Sequence, residues 1–514
     1  MKEFGGLTRR EFLKLISLAP VAVYSHPLLK AGGPLRSADG KNIIIIVFDA
    51  WSQHHVSLYG YRRHTMPNLG RFAENATVYH NHYSTGTFTV PSTASILTGM
   101  HPWSHRAFQL GAGIAPAHTK QTIFSVLSGT HATCAFTQNK VADQILYQLE
   151  SALDEHVHTW SFNLQNANLY SLPLFKKDPR MAYASFEDNI MQHGEGYDSS
   201  LFFGPLFRLY TLFRQKGLKQ HYAADYPRVM PKSPGYFLLP DVVDGAIEIL
   251  KEIQQPTLEY IHFLPPHDPY APTKDFFETM IDGWNAPEKP VHELSEKKIK
   301  VEKLNRHRRY YDEFIASWDH EVDRLFQYLK DSGLTENSYI FLMADHGELF
   351  ERGELGHVTK LLYDPVVHVP LIVLSPGQTR REDVYTYTSS VDILPTVAQL
   401  TGNPIPHWAE GQVLPRLGGK ELEHRSIFSM DAKMNSSFGL LRNYSMSVTR
   451  DHHRLTYFCY PKDDYQKYEF FDLDADPEEM KNLYPRQPSL ARDMQDELLQ
   501  KVEDVNQAFL RDGL

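Results

Sequence analysis

Residues 42–48 read Asn-Ile-Ile-Ile-Ile-Val-Phe and run straight into Asp49, and no other segment restricts the fold as much. An apolar run without polar alternates cannot lie on a sheet with one face in water, so it predicts a strand buried on both faces. Such strands belong to parallel sheets covered by helices, a three-layer α/β arrangement. Shorter apolar runs recur at 133–136, 258–263, 339–343 and 370–374, with helical stretches such as 241–253 and 311–330 between them. In open α/β sheets ligands sit beyond the carboxyl ends of the strands. There the sequence sets Asp49, the pair Asp345-His346 and, a few residues past its run, His267. Three segments are expected to meet on one rim.

Beyond Pro404 the pattern changes to short alternating segments at 426–430, 445–449, 454–460 and 468–473, followed by a helix over about 489–510. This predicts a small antiparallel α+β subdomain over 405–514, attached to a mostly parallel main domain over 41–404. Residues 149–232, rich in Tyr and Phe, fit neither pattern and are expected to form an insertion or lid over the rim. Fifty-two Lys and Arg against 62 Asp and Glu give a net charge of −10, which leaves no basic footprint for nucleic acid. Two cysteines, Cys134 and Cys459, are too few for a Cys-rich zinc cage or a disulfide framework.

Thr8-Arg9-Arg10-Glu11-Phe12-Leu13-Lys14 precedes an apolar stretch over 15–24, a layout that resembles a twin-arginine export signal. The stretch is too short for a bilayer-spanning helix, which needs about 20 apolar residues. Residues 1–40 are therefore read as a signal and linker, and the mature protein is expected to be periplasmic or extracytoplasmic.

A longer series of motifs follows in fixed order. After the run ending in Asp49 come Met66-Pro67-Asn68-Leu69, then Thr89-Val90-Pro91-Ser92-Thr93-Ala94-Ser95 with Leu97-Thr98-Gly99, then Pro266-His267-Asp268-Pro269-Tyr270. Asp345-His346-Gly347-Glu348, Gly356-His357, His368-Val369-Pro370 and Val391-Asp392-Ile393-Leu394-Pro395-Thr396 complete it, with Phe471-Asp472-Leu473 near the end. Together they resemble the sulfatase branch of the alkaline phosphatase superfamily over most of the chain. The resemblance implies an alkaline phosphatase-like sandwich and a metal-dependent hydrolase or transferase of anionic esters.

Family sulfatases carry a cysteine, matured to formylglycine, where this chain has Thr89, and an arginine where it has Thr93. A threonine cannot become the aldehyde hydrate. Its hydroxyl can still attack phosphorus, so Thr89 is expected to be the covalent nucleophile, as in the phosphodiesterases and the phosphoethanolamine and glycerophosphate transferases that the motifs also resemble. Thr89, with Pro91 two residues on, also suits a helix start, where a helix N-terminus favours negative charge. The resemblance makes Asp49, Thr89, Asp345 and His346 the ligands of one divalent metal ion. Ala50 and His346 stand where sulfatases usually have Asp and Asn, and this exchange of a carboxylate for an imidazole favours zinc or manganese over calcium.

His267 and His357 match family positions that contact the substrate, and His267 is a candidate general acid. Lys360 and Thr93 are candidate substrate-binding residues. The family's lysine after the 133–136 run falls near Gln138 here, so that cation is expected to be missing. Residues 200–213, rich in Phe and Leu with Arg208 and Arg214 interleaved, read as a buried lid helix or as an interfacial segment making peripheral membrane contact with a lipid-linked substrate. The expected substrate is an anionic ester, lipid- or glycan-linked among the options. Three readings stand: a phosphate-ester hydrolase or transferase, a sulfatase working without formylglycine, and a non-catalytic binding protein on the same fold.

Overall fold

The computed structural model describes residues 40–164, 203–233, 235–253, 255–486 and 488–512. The export-signal segment and the middle of the expected insertion, residues 165–202, lie outside the described residues. The main sheet is built from β1 (Asn42–Asp49), β2 (Thr77–Tyr79), β3 (Ala132–Thr137), β4 (Glu155–Val157), β5 (Thr257–Pro266), β6 (Ser338–Ala344), β7 (Leu371–Leu374) and β8 (Glu382–Val384). Its eight strands run in the order β8-β2-β7-β6-β1-β5-β3-β4. The central strand β1 lies parallel to both β5 and β6, and β3 is parallel to β5 and β4. Only β7 reverses, pairing antiparallel with β6 and β2.

Helices α1 (Pro67–Ala73), α2 (Thr89–Thr98), α3 (Lys140–Leu149), α4 (Phe203–His221), α5 (Leu239–Lys251), α6 (Val301–Asp331), α7 (Asp364–Val367), α8 (Ile393–Leu400) and α9 (Ser489–Asp512) complete the elements that matter for function. The alternation of side chains along β1 divides the core in two. Ile44, Ile46 and Phe48 join Val242, Val243 and Ala246 of α5 and Tyr311, Ile315 and Trp318 of α6. Ile43, Ile45 and Val47 join Val90, Ala94 and Leu97 of α2, Ile145 of α3 and Leu394 of α8. All six β1 apolar side chains are fully buried. Each contributes about 1.5–3 kcal/mol by leaving water, so a charge at Ile45 would break the sheet at its centre.

Local detail shows why the elements end where they do. Met66 gives α1 no side-chain cap. Asp319 of α6 supplies one from across the core, accepting from Asn68 N and Leu69 N at 2.9 Å each. The C-terminal region forms a four-stranded antiparallel sheet of β9 (Ile427–Asp431), β10 (Tyr444–Arg450), β11 (His453–Tyr460) and β12 (Tyr465–Asp472). Met430, Met446, Leu455 and Phe470 of its inner face pack with Met494 and Leu498 of α9. Among the described residues no helix is long and apolar enough to cross a membrane. On α4, within the segment read as lid or interfacial, Leu206, Leu209, Leu212 and Phe213 are exposed.

Candidate active site

The site begins with strand register. Phe48 of β1 sits opposite Ala344 of β6, so the residues that follow, Asp49 and Asp345, leave the sheet side by side. Ala50 then turns back with φ +56°, and its N–H donates to Asp345 Oδ1 at 3.2 Å. The His346 N–H reaches the same oxygen at 2.9 Å. Two backbone donors thus hold one oxygen of Asp345 and leave Oδ2 to face the pocket.

Thr89 is the first residue of α2 and is almost fully buried. Its Oγ1 lies 3.3 Å from His346 Nε2. His346 Nδ1 is 2.9 Å from the Gly347 carbonyl, so that nitrogen carries the proton and Nε2 presents a lone pair. Nε2 is also 3.5 Å from Asp49 Oδ1 and 3.4 Å from Asp345 Oδ2. A second imidazole comes from inside β5. His262 Nε2 lies 3.3 Å from Asp49 Oδ2 and 3.7 Å from Asp345 Oδ2. Asp49, His262 and Asp345 can bring ligand atoms within 4.8 Å of one another.

Asp49 Oδ1, Asp345 Oδ2 and His262 Nε2 are buried without a hydrogen-bond partner among the described residues. Orphaned buried polar atoms of this kind are costly unless a cation compensates them. Separations of 3.3–3.5 Å match the edge of a tetrahedron with 2.0–2.1 Å ligand bonds, about 3.3 Å. The donor set of two carboxylates, two imidazoles and a hydroxyl fits a divalent metal ion. Burial pushes the Asp345 carboxyl well up, and the neighbouring Asp49 carboxylate adds to it. Burial acts on Asp49 in the same direction, but the His267, His262 and His346 rings outweigh it and hold Asp49 below the usual range.

A file of imidazoles leads from this cluster to the rim. The His346 and His357 ring centroids are 4.4 Å apart, and those of His357 and His267 are 4.6 Å apart. Burial, then the charge of their neighbours, lowers His346 and His357 to about 3. His267 goes the other way: burial opposes its charge, yet Asp49, Asp268 and Glu348 raise it to about 9. The rim end of the file is therefore cationic at neutral pH. Glu348, raised to about 8 by burial and Asp268, is 3.1 Å from His357 Nδ1.

The other expected residues are placed differently. Thr93 lies one turn beyond Thr89, fully buried beside Tyr260. Lys360 Nζ is 3.0 Å from Glu296 Oε1 and 5.0 Å from the Tyr460 ring centroid, and among its described contacts none is with Asp49, Thr89 or His267. Lys297, on the segment before α6, bears instead on His357 and Glu348. Gln138 ties β3 to β5, its Oε1 accepting from Leu264 N at 3.2 Å. The residue that reaches the pocket from this turn is Asn139, whose Nδ2 donates to Asp49 Oδ2 and, over 3.1 Å, to Thr89 Oγ1. Sequence reasoning missed His262, Asn139 and Lys297. The first reads as an ordinary strand residue and the second as a helix cap.

The sulfatase family model matches residues 41–403, and that of the N-sulphoglucosamine sulphohydrolase C-terminal region matches 353–508. The chain belongs to the sulfatase family of the alkaline phosphatase superfamily, metal-dependent hydrolases acting on ester bonds. It is 22% identical to the choline-sulfatase of Rhizobium meliloti (strain 1021) over 82% of this chain and 78% of that protein. A match to arylsulfatase K of Xenopus laevis, 27% identical, spans 38% of this chain and 37% of that protein. The crystal structure of the phosphonate monoester hydrolase of Agrobacterium radiobacter shares the fold with a TM-score of 0.64, at 16% identity over 90% of this chain and 96% of that one.

Proposed function

We propose that the chain is an exported hydrolase or transferase of phosphate esters that works through a covalent phosphothreonine at Thr89. The observation that carries this reading is the setting of the Thr89 hydroxyl, between His346 Nε2 and the Asn139 amide at the start of α2. Asp49, Asp345, His346 and Thr89 would hold the divalent ion, with His262 as a further donor, and zinc or manganese suits this set better than calcium. When bound, the ion neutralises charge on the ester and eases ionisation of a hydroxyl.

The chain's own residues do the rest. The ionised Thr89 oxygen attacks phosphorus while the Asn139 amide and the α2 N-terminus steady the negative charge. The protonated His267 gives its proton to the departing oxygen as the ester bond breaks. Water, or an acceptor hydroxyl in a transferase, then releases the phosphoryl group from Thr89 and returns a proton to His267. His357, kept neutral, separates the cationic rim from the ligand cluster.

The reading is tested with matched aryl phosphate monoester, phosphodiester, phosphonate and sulfate substrates, in zinc or manganese, beside Thr89→Ala. Turnover of phosphorus esters, lost in the variant, together with a phosphothreonine trapped by acid quench, supports it. Sulfate turnover alone favours the second reading, a sulfatase using an unmodified hydroxyl, for which the choline-sulfatase likeness speaks. Export is inferred from the Arg9-Arg10 segment, and replacing both with Lys should strand the protein in the cytoplasm. The exposed Leu206, Leu209, Leu212 and Phe213 of α4 support peripheral contact with an apolar surface. Unchanged liposome association after their replacement by Ser would remove that part.

A further inference from the structure

We propose that His54, Asp364 and His368 form a second divalent-metal site, open to solvent and separate from the cluster around Asp49. Asp364 opens α7 and His368 follows it, so the i and i+4 positions fall on one face of a single turn. His54 arrives from the loop after β1. His54 Nε2 and His368 Nδ1 lie 3.5 and 3.4 Å from the same oxygen, Asp364 Oδ2, and the three ligand atoms are all within 4.8 Å of one another. Both separations match the tetrahedral edge of about 3.3 Å that 2.0–2.1 Å zinc bonds define.

The tautomer of His368 is the independent observation. Its Nε2 is 2.7 Å from the His80 carbonyl, so Nε2 carries the proton. In the neutral ring Nδ1 then carries a lone pair that faces a carboxylate oxygen. It has no hydrogen-bond partner among the described residues, and the residue is only 8% exposed. A neutral ring nitrogen and a carboxylate oxygen opposed at 3.4 Å in a buried setting call for a cation between them, a place for which the metal ion competes with a proton on Nδ1. The ring cannot swing away, because Tyr83 stacks on it with centroids 4.4 Å apart and planes 10° from parallel.

The outer partners have the form expected around a metal ligand. Arg454 takes the other oxygen of Asp364 and turns Oδ2 toward the imidazoles. Arg454 Nη1 is in turn 2.9 Å from Glu479 Oε1, and Glu479 Oε2 accepts from Asp364 N at 3.0 Å. The His54 side chain is 34% exposed, which gives the ion a way in and leaves a fourth position for water or an anion. Two imidazoles and one carboxylate with an open position suit zinc or a similar first-row ion. An ion here would pin the loop leaving Asp49 to α7. The Val366 and Pro365 carbonyls of α7 accept from Gly347 N and Glu348 N at 2.8 and 3.0 Å, directly after Asp345-His346. The site is thus placed to fix the two loops that carry the first cluster, whichever ester that cluster cleaves.

The test counts metal rather than activity. The full chain is equilibrated with zinc, dialysed and analysed for metal, as wild type, His54→Ala, Asp345→Asn and the double variant. Two zinc ions per chain are expected in the wild type and one in each single variant. In the Asp345→Asn background the remaining ion should bind at least about 100-fold more weakly once His54 is removed. Cobalt loaded into Asp345→Asn protein should show tetrahedral visible bands that His54→Ala abolishes. His54 is partly exposed, so its truncation leaves the core intact, and circular dichroism checks this. Equal zinc content in wild type and His54→Ala, or an Asp345→Asn protein without zinc, overturns the proposal and leaves the three residues as a protonated ion-pair cluster.

Discussion

Asn139 Nδ2 lies 3.1 Å from Thr89 Oγ1, and this contact joins the start of one helix to the start of another. The same side chain caps α3, its Oδ1 accepting from Val141 N at 2.8 Å. Asn139→Ser separates the two tasks, since serine caps as well as asparagine but is too short to reach Thr89. The cap survives, loss of the donor to the buried Asp49 Oδ2 costs about 1–3 kcal/mol of stability, and kcat falls by about 10²-fold, the usual effect of losing one preorganised donor. Steady-state kinetics alongside thermal unfolding read both. Unchanged kcat would show that the amide serves the helix alone.

Thr89→Ala and Thr89→Ser should part company. Both keep α2, because Thr89 is only the first residue of a helix whose apolar face is anchored by Val90, Ala94 and Leu97. Serine retains the attacking oxygen and should keep measurable turnover, whereas alanine should lose about 10³-fold or more. If alanine retains serine-like activity, the nucleophile lies elsewhere.

The strongly patterned parts of the chain were legible because burial writes itself into composition. The 42–48 run could only be a central strand, and the strands ending in Asp49 and before Asp345 do meet on one rim. Direction is not written that way. The run at 370–374 looks like its parallel neighbours, yet β7 is antiparallel. His262 was hidden because nothing in the 258–263 run distinguishes a buried strand histidine from a pocket one; only pairing of β5 beside β1 aims it at Asp49. The helix expected from Tyr311 begins at Val301, since Glu302, Lys303, Asn305 and Arg306 carry no apolar stripe to announce it. Motif position points to Lys360, whereas the lysine charge that bears on His357 is that of Lys297, reaching the site from the segment before α6, where no motif announces it.

Asp312, fully buried on α6, is the hub of the polar interior. Its Oδ2 accepts from Arg63 Nη1 and the Tyr61 hydroxyl, each at 2.7 Å, and its Oδ1 is 2.6 Å from His55 Nδ1. Removing the carboxylate strands three polar groups where water cannot replace it. Asp312→Ala should therefore lose about 3–5 kcal/mol, with Asp312→Asn losing distinctly less because it keeps part of the hydrogen bonding. Urea midpoints of the two variants measure this, and equal losses would mean that charge, not hydrogen bonding, holds the hub.

Glu469 gives the fold an acid-sensitive tie between the C-terminal sheet and the loop before α7. Its carboxylate accepts from the Tyr363 hydroxyl at 2.6 Å and lies 3.4 Å from His292 Nε2 and 3.3 Å from Lys467 Nζ. Burial alone would raise its pKa, but His292, Tyr363 and Lys467 outweigh burial and lower it from 4.5 to about 2. A carboxyl lowered on folding adds stability above its unfolded pKa and loses it as pH falls through the folded value. The contribution is thus complete above about pH 5 and fades between about pH 4.5 and 2, with an upper size of about 3 kcal/mol. Glu469→Gln keeps an acceptor for Tyr363 and removes only the charge. It should be less stable than wild type by about 1–3 kcal/mol at pH 7, and the gap should close as pH falls to about 2. Urea midpoints measured across that range decide it, because curves that stay parallel would show that His292 and Lys467 do not hold the carboxylate in its charged form.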